Sequence, residues 1–359
     1  MARRGAKKKR EPVGDPSDPH GMASWLAHYL EWLRSHNYSD STVNNRESYL
    51  TLFCAWCEER GITRPSEVTK PILERYQRHL YHYRKPHNGQ PLSFRSQYSR
   101  LVPVRAFFKW LTRQNVLLYN PASELELPRL EHRLPKHVLS EREAHAVLMQ
   151  ADTSDPLGIR DRAILETLYS TGMRRMEVVN LALYDLDLDR GTLMVRQGKG
   201  KKDRMVPIGE RAAVWIEKYR ADVRHELVVE PDDGTLFLTA DGARFSPNGM
   251  TSLVRNYVLA ADTGKRGACH LFRHTMATQM LENGADIRFI QQMLGHAKLE
   301  TTQIYTQVSI RKLQEIHRAT HPTARHERTP ATTPAATDDA STDDLIAALE
   351  AEAIDEAEA

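Results

Sequence analysis

A proline-rich, basic segment near the middle of the chain separates two regions with different sequence patterns. Pro121, Pro128 and Pro135 follow one another closely, with few apolar residues and several cations around them. Repeated prolines interrupt helices and strands, so this composition is typical of a linker. The chain has 359 residues, whereas a single domain usually has roughly 100–200 residues. The sequence therefore predicts two domains joined by a linker over residues 126–138.

The region before the linker carries helical patterns. Trp25, Tyr29 and Leu33 recur at the spacing of one helix face. Gly61 is expected to end the second helix, because glycine readily adopts the left-handed conformation found at helix ends. The predicted helices are one around residues 25–33, one over about 41–60, one that follows Thr69-Lys70-Pro71, and one over about 93–114. These patterns predict a helical domain over residues 21–125.

The fourth predicted helix carries a basic stripe beside its apolar face. Arg105, Lys109 and Arg113 are spaced at i, i+4 and i+8, so they share one side of the helix. Two interpretations stay open at this point: the stripe is either a solvated face or a surface laid against a DNA backbone. The three residues are therefore DNA-binding candidates.

The region after the linker begins with helices and then changes its period. Ser140 and Glu143 form a capping box that opens a helix, so a second domain is predicted over residues 139–320. Helices are expected over 158–169 and 174–183, and again from about residues 210, 247, 270, 286 and 299. Between them, residues 191–196 and 203–208 have the pattern of two strands joined by a glycine-rich hairpin, and residues 235–238 are predicted as a third, short strand. The predicted fold class is mainly α with a small antiparallel β-sheet in the second domain.

Two tails of opposite charge flank these domains. Residues 1–20 are predicted to be a disordered basic tail, and residues 321–359 a disordered acidic tail. The net charge of the whole chain is +3, and it rises to +12 when the nine acidic residues after position 337 are left out. A body this basic indicates a polyanionic partner such as DNA. No membrane-spanning run or secretory signal is recognised, so a cytoplasmic, nucleoid-associated location is expected.

The three cysteines do not indicate a disulfide framework or a metal site. Cys54 and Cys57 form a CxxC pair, but no second pair or pair of histidines lies nearby to complete a zinc site. We expect both to lie on a buried helix face.

Six residues of the second region provide the groups needed to attack a DNA phosphodiester with an enzyme hydroxyl. Arginine suits the charge that builds on the non-bridging oxygens, because its planar fork donates two bonds to phosphate and stays protonated. A tyrosine can attack, a lysine on a flexible hairpin can protonate the departing 5′ oxygen, and histidines can orient the phosphate and move the tyrosine proton. The candidates are Arg174, Lys199, His270, Arg273, His296 and Tyr305, which is the candidate nucleophile.

Such a reaction needs no cofactor. A phosphotyrosine stores the energy of the broken phosphodiester bond, so the strand can be rejoined without ATP. The candidate set contains no cluster of carboxylates of the kind that binds a metal ion, and a reaction without metal or other cofactors is predicted.

Each candidate also has an ordinary structural explanation. Spacing alone does not decide whether Arg174 or the adjacent Arg175 is the functional arginine. Tyr305 could be a core tyrosine with its hydroxyl at the surface, and both histidines could simply pack or cap helices. Their joint order along the chain favours the catalytic interpretation.

In its motifs the chain resembles the tyrosine recombinases of the phage lambda integrase family, and most of all their bacterial Xer-type members. The resemblance covers about residues 22–318. The motifs that carry it are Thr-Gly-Met-Arg-Arg-Met-Glu at 171–177, Gly-Lys-Gly-Lys-Lys-Asp-Arg at 198–204, His-Leu-Phe-Arg-His at 270–274, Leu-Gly-His at 294–296, and Tyr305.

The resemblance assigns roles residue by residue. The arginine directly after Thr-Gly-Met is the family's catalytic position, so it selects Arg174 over Arg175, and Glu177 matches a supporting acidic residue. The first lysine of the hairpin motif gives Lys199, and Lys201 and Lys202 beside it are further DNA-binding candidates. The remaining motifs give His270, Arg273, His296 and the nucleophile Tyr305.

The resemblance also implies an architecture and an assembly. A SAM-like helical core-binding domain and the catalytic domain would form a two-domain, C-shaped clamp around double-stranded DNA with an inverted-repeat core site. Four protomers, with or without a second recombinase, would assemble on two sites. A segment at about Ser309–Ala319 would pack into a neighbouring subunit and couple the cleavage states of the two protomers.

Several functions share this chemistry. Site-specific recombination through a 3′-phosphotyrosine and a Holliday junction is the first hypothesis, and the added tails favour the integration, excision or transposition of a mobile element. Xer-like resolution of chromosome or plasmid dimers is the alternative. A type IB topoisomerase-like enzyme or a hairpin telomere resolvase is disfavoured by the helical first domain. A catalytically silent DNA-binding accessory protein is disfavoured by the complete set of candidates.

Overall fold

The computed structural model of the chain describes residues 13–130, 137–196, 203–295 and 310–322, the last of these with side chains from residue 314 onward. The chain divides into two compact units, formed by residues up to 132 and from 133 onward. Within the described ranges, no helix is long and apolar enough to cross a membrane.

The first unit is built from four helices, as its sequence pattern predicts. Hydroxyl groups start two of them, because Ser39 Oγ accepts a bond from Thr42 N and Ser93 Oγ accepts one from Ser96 N. Aromatic rings fill the core, and Phe53 and Phe108 meet edge to face with ring centroids 5.9 Å apart. The helices are α1 (Met22–Ser35), α2 (Asp40–Glu58), α3 (Lys70–His82) and α4 (Phe94–Arg113).

The CxxC pair lies inside this core. Cys54 and Cys57 are both buried on α2, which confirms the predicted packing role. Burial raises the pKa of the Cys57 thiol to about 12 and raises the pKa of Cys54 further. Both thiols are therefore neutral at physiological pH and poor nucleophiles.

Helix α4 is amphipathic in the predicted sense. Val104, Phe108 and Leu111 are buried, whereas Lys109 and Arg113 are exposed and Arg105 is half-buried. The basic stripe is thus accessible to a ligand on the surface of the first unit.

The second unit is mainly helical with one small sheet. Its capping box is formed as predicted, since Ser140 Oγ accepts a bond from Glu143 N while Glu143 Oε2 accepts one from Ser140 N. The helices are α5 (Glu141–Leu148), α6 (Pro156–Thr171), α7 (Arg175–Val179), α8 (Glu210–Tyr219), α9 (His225–Leu227), α10 (Pro247–Ala260), α11 (Cys269–Glu282), α12 (Ile287–Leu294) and α13 (Ile310–Thr320).

Helix α6 is the central element of this unit. Nearly all of its residues are buried, including charged ones. Glu166 Oε1 accepts a bond from Arg162 Nε at 2.9 Å, and Glu166 Oε2 accepts one from Arg211 Nε at 2.9 Å. These bonds satisfy a carboxylate that would otherwise be very costly to bury.

The sheet is antiparallel, but its third strand differs from the prediction. The order is β1 (Leu186–Asp187), β2 (Thr192–Val195) and β3 (Arg204–Pro207). Residues 235–238, predicted as a strand, form only isolated bridges. The run is apolar because it is buried, not because it pairs with a neighbouring strand. Its backbone finds other partners, since the Leu238 N–H donates to the hydroxyl of Tyr219.

The helix predicted over residues 174–183 is also shorter than expected. It ends at Val179, and a single 3-10 turn at Leu183–Asp185 follows. Asp185 accepts a bond from the backbone N–H of Ala182, so its side chain stabilises the turn where the pattern predicts a continuing helix.

Helix α13 packs on the second unit of its own chain. His317 Nε2 lies 2.9 Å from the carbonyl oxygen of Ser170, and His321 Nε2 lies 2.9 Å from that of Tyr169. Both carbonyls belong to the last turn of α6, where helical partners are lacking. The packing of this segment into a neighbouring subunit, implied by resemblance, stays a prediction.

The docking of α13 should weaken in mild acid. Burial lowers the pKa of His317 from 6.5 to about 4, and it lowers the pKa of His321 as well. Docking is therefore strongest above pH 6.5 and should lose up to about 1.4 kcal/mol per histidine for each pH unit below it. We expect the exchange protection factors of amides in residues 314–320 to fall between pH 7.5 and pH 5.5.

Replacing both buried histidines by glutamine should make that protection independent of pH. His145→Gln, a change at an exposed histidine of the same unit, should keep the pH dependence. Protection that stays constant with pH in the unmodified protein would contradict this explanation of docking.

Candidate active site

The loop that ends α6 carries the first catalytic candidate. Gly172 has a φ of +59° and caps the helix in the left-handed conformation. This conformation is strained for residues with a Cβ, so the turn favours glycine whatever space surrounds it. The turn makes Arg174 the N-cap residue of α7, and Glu177 Oε2 accepts a bond from the Arg174 backbone N–H at 2.8 Å.

The two adjacent arginines have different partners. Arg174 Nη1 donates to Glu177 Oε1 at 2.8 Å, and its Nη2 donates to the carbonyl oxygen of Gly295 at 3.3 Å. Arg175 Nη1 instead donates to the hydroxyl of Thr251 on α10 at 3.0 Å. Arg174 is therefore the one that joins the other candidates.

Helix α11 supplies Arg273, which is only 1% exposed. Its Nη1 donates to the carbonyl oxygen of Gly172 at 2.6 Å, and its Nη2 donates to that of Leu294 at 2.8 Å. His270 lies one turn earlier on the same helix and is half-buried. Arg273 thus fastens the end of α6 to the end of α12.

Strand β3 contributes a third arginine that the sequence analysis did not select. Arg204 donates both Nη atoms to the two carboxylate oxygens of Glu177, each at 2.8 Å, and its Nε donates to the carbonyl oxygen of Met293 at 2.8 Å. Arg204 is the last residue of the Gly-Lys-Gly-Lys-Lys-Asp-Arg motif. Its position directly after the hairpin was the available signal, although nothing in the motif indicates its partner.

The three arginines converge on one helix end. Three consecutive carbonyl groups, at the end of α12, each accept a bond from a different guanidinium. The last carbonyls of a helix have no helical partner and carry the negative end of its dipole. The pairs are Met293 with Arg204, Leu294 with Arg273, and Gly295 with Arg174.

One carboxylate lies within this cluster. Burial alone would raise the pKa of Glu177, but the hydrogen bonds and charge of Arg204 and the charges of Arg174 and Arg273 outweigh it and lower the pKa to about 2. Glu177 is therefore ionised at neutral pH. Three guanidiniums and one carboxylate carry a net charge of +2, and such buried positive charge favours an anionic ligand.

The other candidates lie outside the described residues: Lys199, Lys201, Lys202, His296 and Tyr305. Their neighbours in the chain are described. Val195 pairs with Arg204 at the base of the segment that contains the three lysines. His296 directly follows Gly295, whose carbonyl accepts the bond from Arg174. In the part of the chain that is described, no group of three or more side chains could hold a metal ion.

Comparison with known proteins identifies the family. A profile described as the Phage integrase family matches residues 137–311. The protein named tyrosine recombinase XerC 2 from Ralstonia nicotianae is 50% identical over 319 residues, which cover 89% of this chain and 91% of that protein. This chain belongs to the phage integrase family of tyrosine recombinases. It is accordingly an enzyme that cleaves and rejoins DNA.

Further relatives of this tyrosine recombinase are also Xer-type. Tyrosine recombinase XerD from Pseudomonas putida is 36% identical over 291 residues and covers 81% of this chain and 94% of its own length. The solved structure of the XerH site-specific recombinase bound to its difH substrate before cleavage has a TM-score of 0.62 and 16% identity, and it covers 87% of this chain and 96% of that one. That structural likeness shows a shared fold.

Glu177→Gln should destabilise the recombinase strongly at neutral pH. The change removes the carboxylate that pairs with both Arg174 and Arg204, and breaking such a buried pair typically costs about 3–5 kcal/mol. Because the folded-state pKa of Glu177 is lowered, this contribution is complete above pH 4.5 and is lost as the pH falls towards about 2. Urea unfolding monitored at pH 7 measures the difference.

Asp222→Asn provides the comparison, since the Lys218–Asp222 pair lies on the surface with side chains 44% and 49% exposed. That change should alter the unfolding free energy by less than about 1 kcal/mol. Equal effects of the two substitutions would show that the buried cluster does not stabilise the fold.

Proposed function

We propose that this tyrosine recombinase is a site-specific recombinase that breaks one strand at a time with Tyr305 and exchanges strands through a Holliday junction. The observation that carries the proposal is the buried, net positive cluster at the end of α12. Two of its arginines, Arg174 and Arg273, are held by backbone carbonyls from separate segments. Arginines fixed in this way are preorganised to bind a phosphate without further rearrangement.

The proposed reaction is a transesterification at the scissile phosphate. The Tyr305 oxygen attacks the scissile phosphorus, an O–P bond to tyrosine forms, and the bond from phosphorus to the 5′ oxygen breaks. Lys199 gives a proton to the departing oxygen, and His270 and His296 orient the phosphate and help to take the tyrosine proton. Rejoining is the reverse reaction with a new 5′ hydroxyl, so neither ATP nor a metal ion is required.

Arg174 and Arg273 would stabilise the charge that increases on the non-bridging oxygens in the transition state. Their positions suit this role because the Gly172 loop and the end of α12 are tied to each other through Arg273. Glu177 would support Arg174 by holding its guanidinium and its backbone N–H at once.

DNA binding by the rest of the protein is proposed from charge and exposure. Lys109 and Arg113 are exposed on α4 and Arg105 is half-buried beside them, so the basic stripe can contact backbone phosphates. Lys201 and Lys202 would add contacts near Lys199. The helical first unit would act as the core-binding domain, and both units would close around an inverted-repeat site as a clamp.

We further propose a homotetramer on two DNA sites, with or without a second recombinase, acting on the nucleoid in the cytoplasm. Support comes from a solved tetramer of lambda integrase bound to a Holliday junction, which has a TM-score of 0.56 and 18% identity to this chain. In such an assembly the segment around α13 would exchange its present packing for packing on a neighbour.

The biological role we favour is Xer-like resolution of chromosome or plasmid dimers. Two relatives that cover 89% and 81% of this chain are named XerC 2 and XerD. Integration, excision or transposition of a mobile element is the second candidate, and the basic and acidic tails of the sequence favour it. Nicked duplexes tiled across the DNA flanking the gene and across the replication terminus separate the two roles. Adducts confined to the flanking DNA would favour the mobile element.

Tyr305→Phe should abolish covalent attachment to DNA without abolishing binding. The variant lacks only the attacking hydroxyl, so the retarded complex on a native gel should remain while the adduct on a denaturing gel disappears. In the unmodified enzyme the adduct should carry the DNA through a 3′ phosphate with no metal added. An adduct of undiminished yield from the phenylalanine variant would refute the assignment of the nucleophile. Binding without any adduct from the unmodified protein would favour the accessory-protein alternative.

Arg174→Ala should slow adduct formation by about 10²-fold or more, the magnitude typical for loss of one preorganised donor to a developing oxyanion. Arg175→Ala is the matched change, since Arg175 is an adjacent, buried arginine that contacts Thr251 instead. Rates should be compared per bound complex, so that any loss of folded protein cancels. A larger defect in the Arg175 variant would exchange the roles of the two arginines.

A further inference from the structure

Arg204 connects separate parts of the arginine cluster, although the chemistry proposed above gives it no role. Its side chain is 13% exposed and donates three hydrogen bonds. Two go to the carboxylate of Glu177, and one goes to the carbonyl oxygen of Met293. All three bonds go to residues outside the sheet in which the backbone of Arg204 lies.

We propose that Arg204 is a positioning residue for strand cleavage, which holds Glu177 in the orientation that directs Arg174 at the scissile phosphate. The inference rests on the proposed function and assigns a residue that acts on the phosphate through another side chain. It follows from the way the Glu177 carboxylate is shared.

Both oxygens of Glu177 are shared between the same two arginines. Oε1 accepts bonds from Nη1 of Arg174 and Nη1 of Arg204, and Oε2 accepts bonds from the backbone N–H of Arg174 and Nη2 of Arg204. The fork of Arg204 therefore fixes the plane of the carboxylate. Without the fork, a rotation of that carboxylate would move the acceptor on which the Arg174 guanidinium rests.

Arg204 also lies against the second acceptor of Arg174. A Cβ built on Gly295 would lie 3.1 Å from Cδ, Nε and Cζ of Arg204, so the guanidinium packs closely on the glycine backbone. The carbonyl group of this glycine accepts the bond from Arg174 Nη2. Arg204 thus binds Glu177 and packs beside Gly295, two residues that accept hydrogen bonds from the Arg174 guanidinium.

A lysine could not replace this geometry. A guanidinium presents a planar fork that pairs with two carboxylate oxygens at once, whereas an ammonium group is a point charge on a flexible stem. Arg204→Lys would keep the charge and lose the fork. The substitution therefore separates positioning from electrostatics.

The test compares two DNA substrates in single-turnover formation of the Tyr305 adduct. One carries the ordinary scissile phosphodiester, and the other a methylphosphonate, in which a methyl group replaces one non-bridging oxygen and removes the negative charge that Arg174 would neutralise. Arg204→Lys should slow the phosphodiester reaction by about 10- to 100-fold, the effect of losing a hydrogen bond to a charged group. On the methylphosphonate, the rate of adduct formation by the Arg204→Lys variant should be within about twofold of the rate of the unmodified enzyme.

Arg174→Ala should show the same pattern on the two substrates. Arg190→Lys should slow neither reaction, because the Arg190 side chain is 79% exposed in the same sheet region. The ratio of the two rates within one protein preparation does not depend on how much of it is folded, so a less stable variant still gives a decisive result.

Equal slowing of Arg204→Lys on both substrates would overturn the proposal and make Arg204 a structural residue. A defect that a 5′-sulfur leaving group relieves, but the methylphosphonate does not, would also overturn it, since that pattern points to the lysine hairpin. If the unmodified protein forms no Tyr305-dependent adduct on either substrate, the proposed function itself fails. If it does form one and Arg204→Lys matches it on the phosphodiester, only the role of Arg204 fails.

Discussion

The hydrogen bonds between three arginines, two buried and one half-buried, and the three carbonyl groups at the end of α12 determine how the second unit is organised. Arg204 comes from β3, Arg273 from α11 and Arg174 from the N-cap of α7, so one helix end gathers three separate elements. Like charges of this kind repel one another, and burial in a low dielectric increases that cost. The cluster is stable because Glu177 supplies a shared counter-charge and the helix end supplies partial negative charge where its carbonyls lack helical partners.

The same arrangement links structure to chemistry. Glu177 neutralises one of the three positive charges, and the remaining positive charge would attract a phosphate to this site. Hydrogen bonds to backbone carbonyls hold the guanidiniums in place without DNA, so in the proposed reaction they would need little reorganisation. The attachment of α13 to the last turn of α6 lies next to the loop that bears Gly172 and Arg174. The position of α13 is thereby connected to the arginine cluster.

Much of this organisation could be predicted from the sequence, and the exceptions have physical reasons. The helical period gave α1 to α4, and the change of period gave β2 and β3. The residue types indicated Arg273 and one arginine of the 174–175 pair, and the family resemblance selected Arg174 from that pair. The run at 235–238 was predicted wrongly as a strand, since a buried apolar segment has the same composition whether or not it pairs. Arg204 was missed because its partners, Glu177 and Met293, are distant in sequence, and only the folded chain brings them together. The structure shows where Arg174, Glu177, His270 and Arg273 lie. The catalytic roles of these residues and of Lys199, His296 and Tyr305 stay predictions.

The central claim is that this cluster binds the scissile phosphate opposite Tyr305. The most direct measurement is a structure of the full-length recombinase on a nicked site with vanadate in place of that phosphate. Vanadate adopts five-coordinate geometry and so resembles the transition state of phosphoryl transfer. We expect Arg174 and Arg273 to donate to the equatorial oxygens of the vanadate while the Tyr305 oxygen occupies an apical position. Vanadate bound away from the end of α12, or with another residue as the apical ligand, would contradict it.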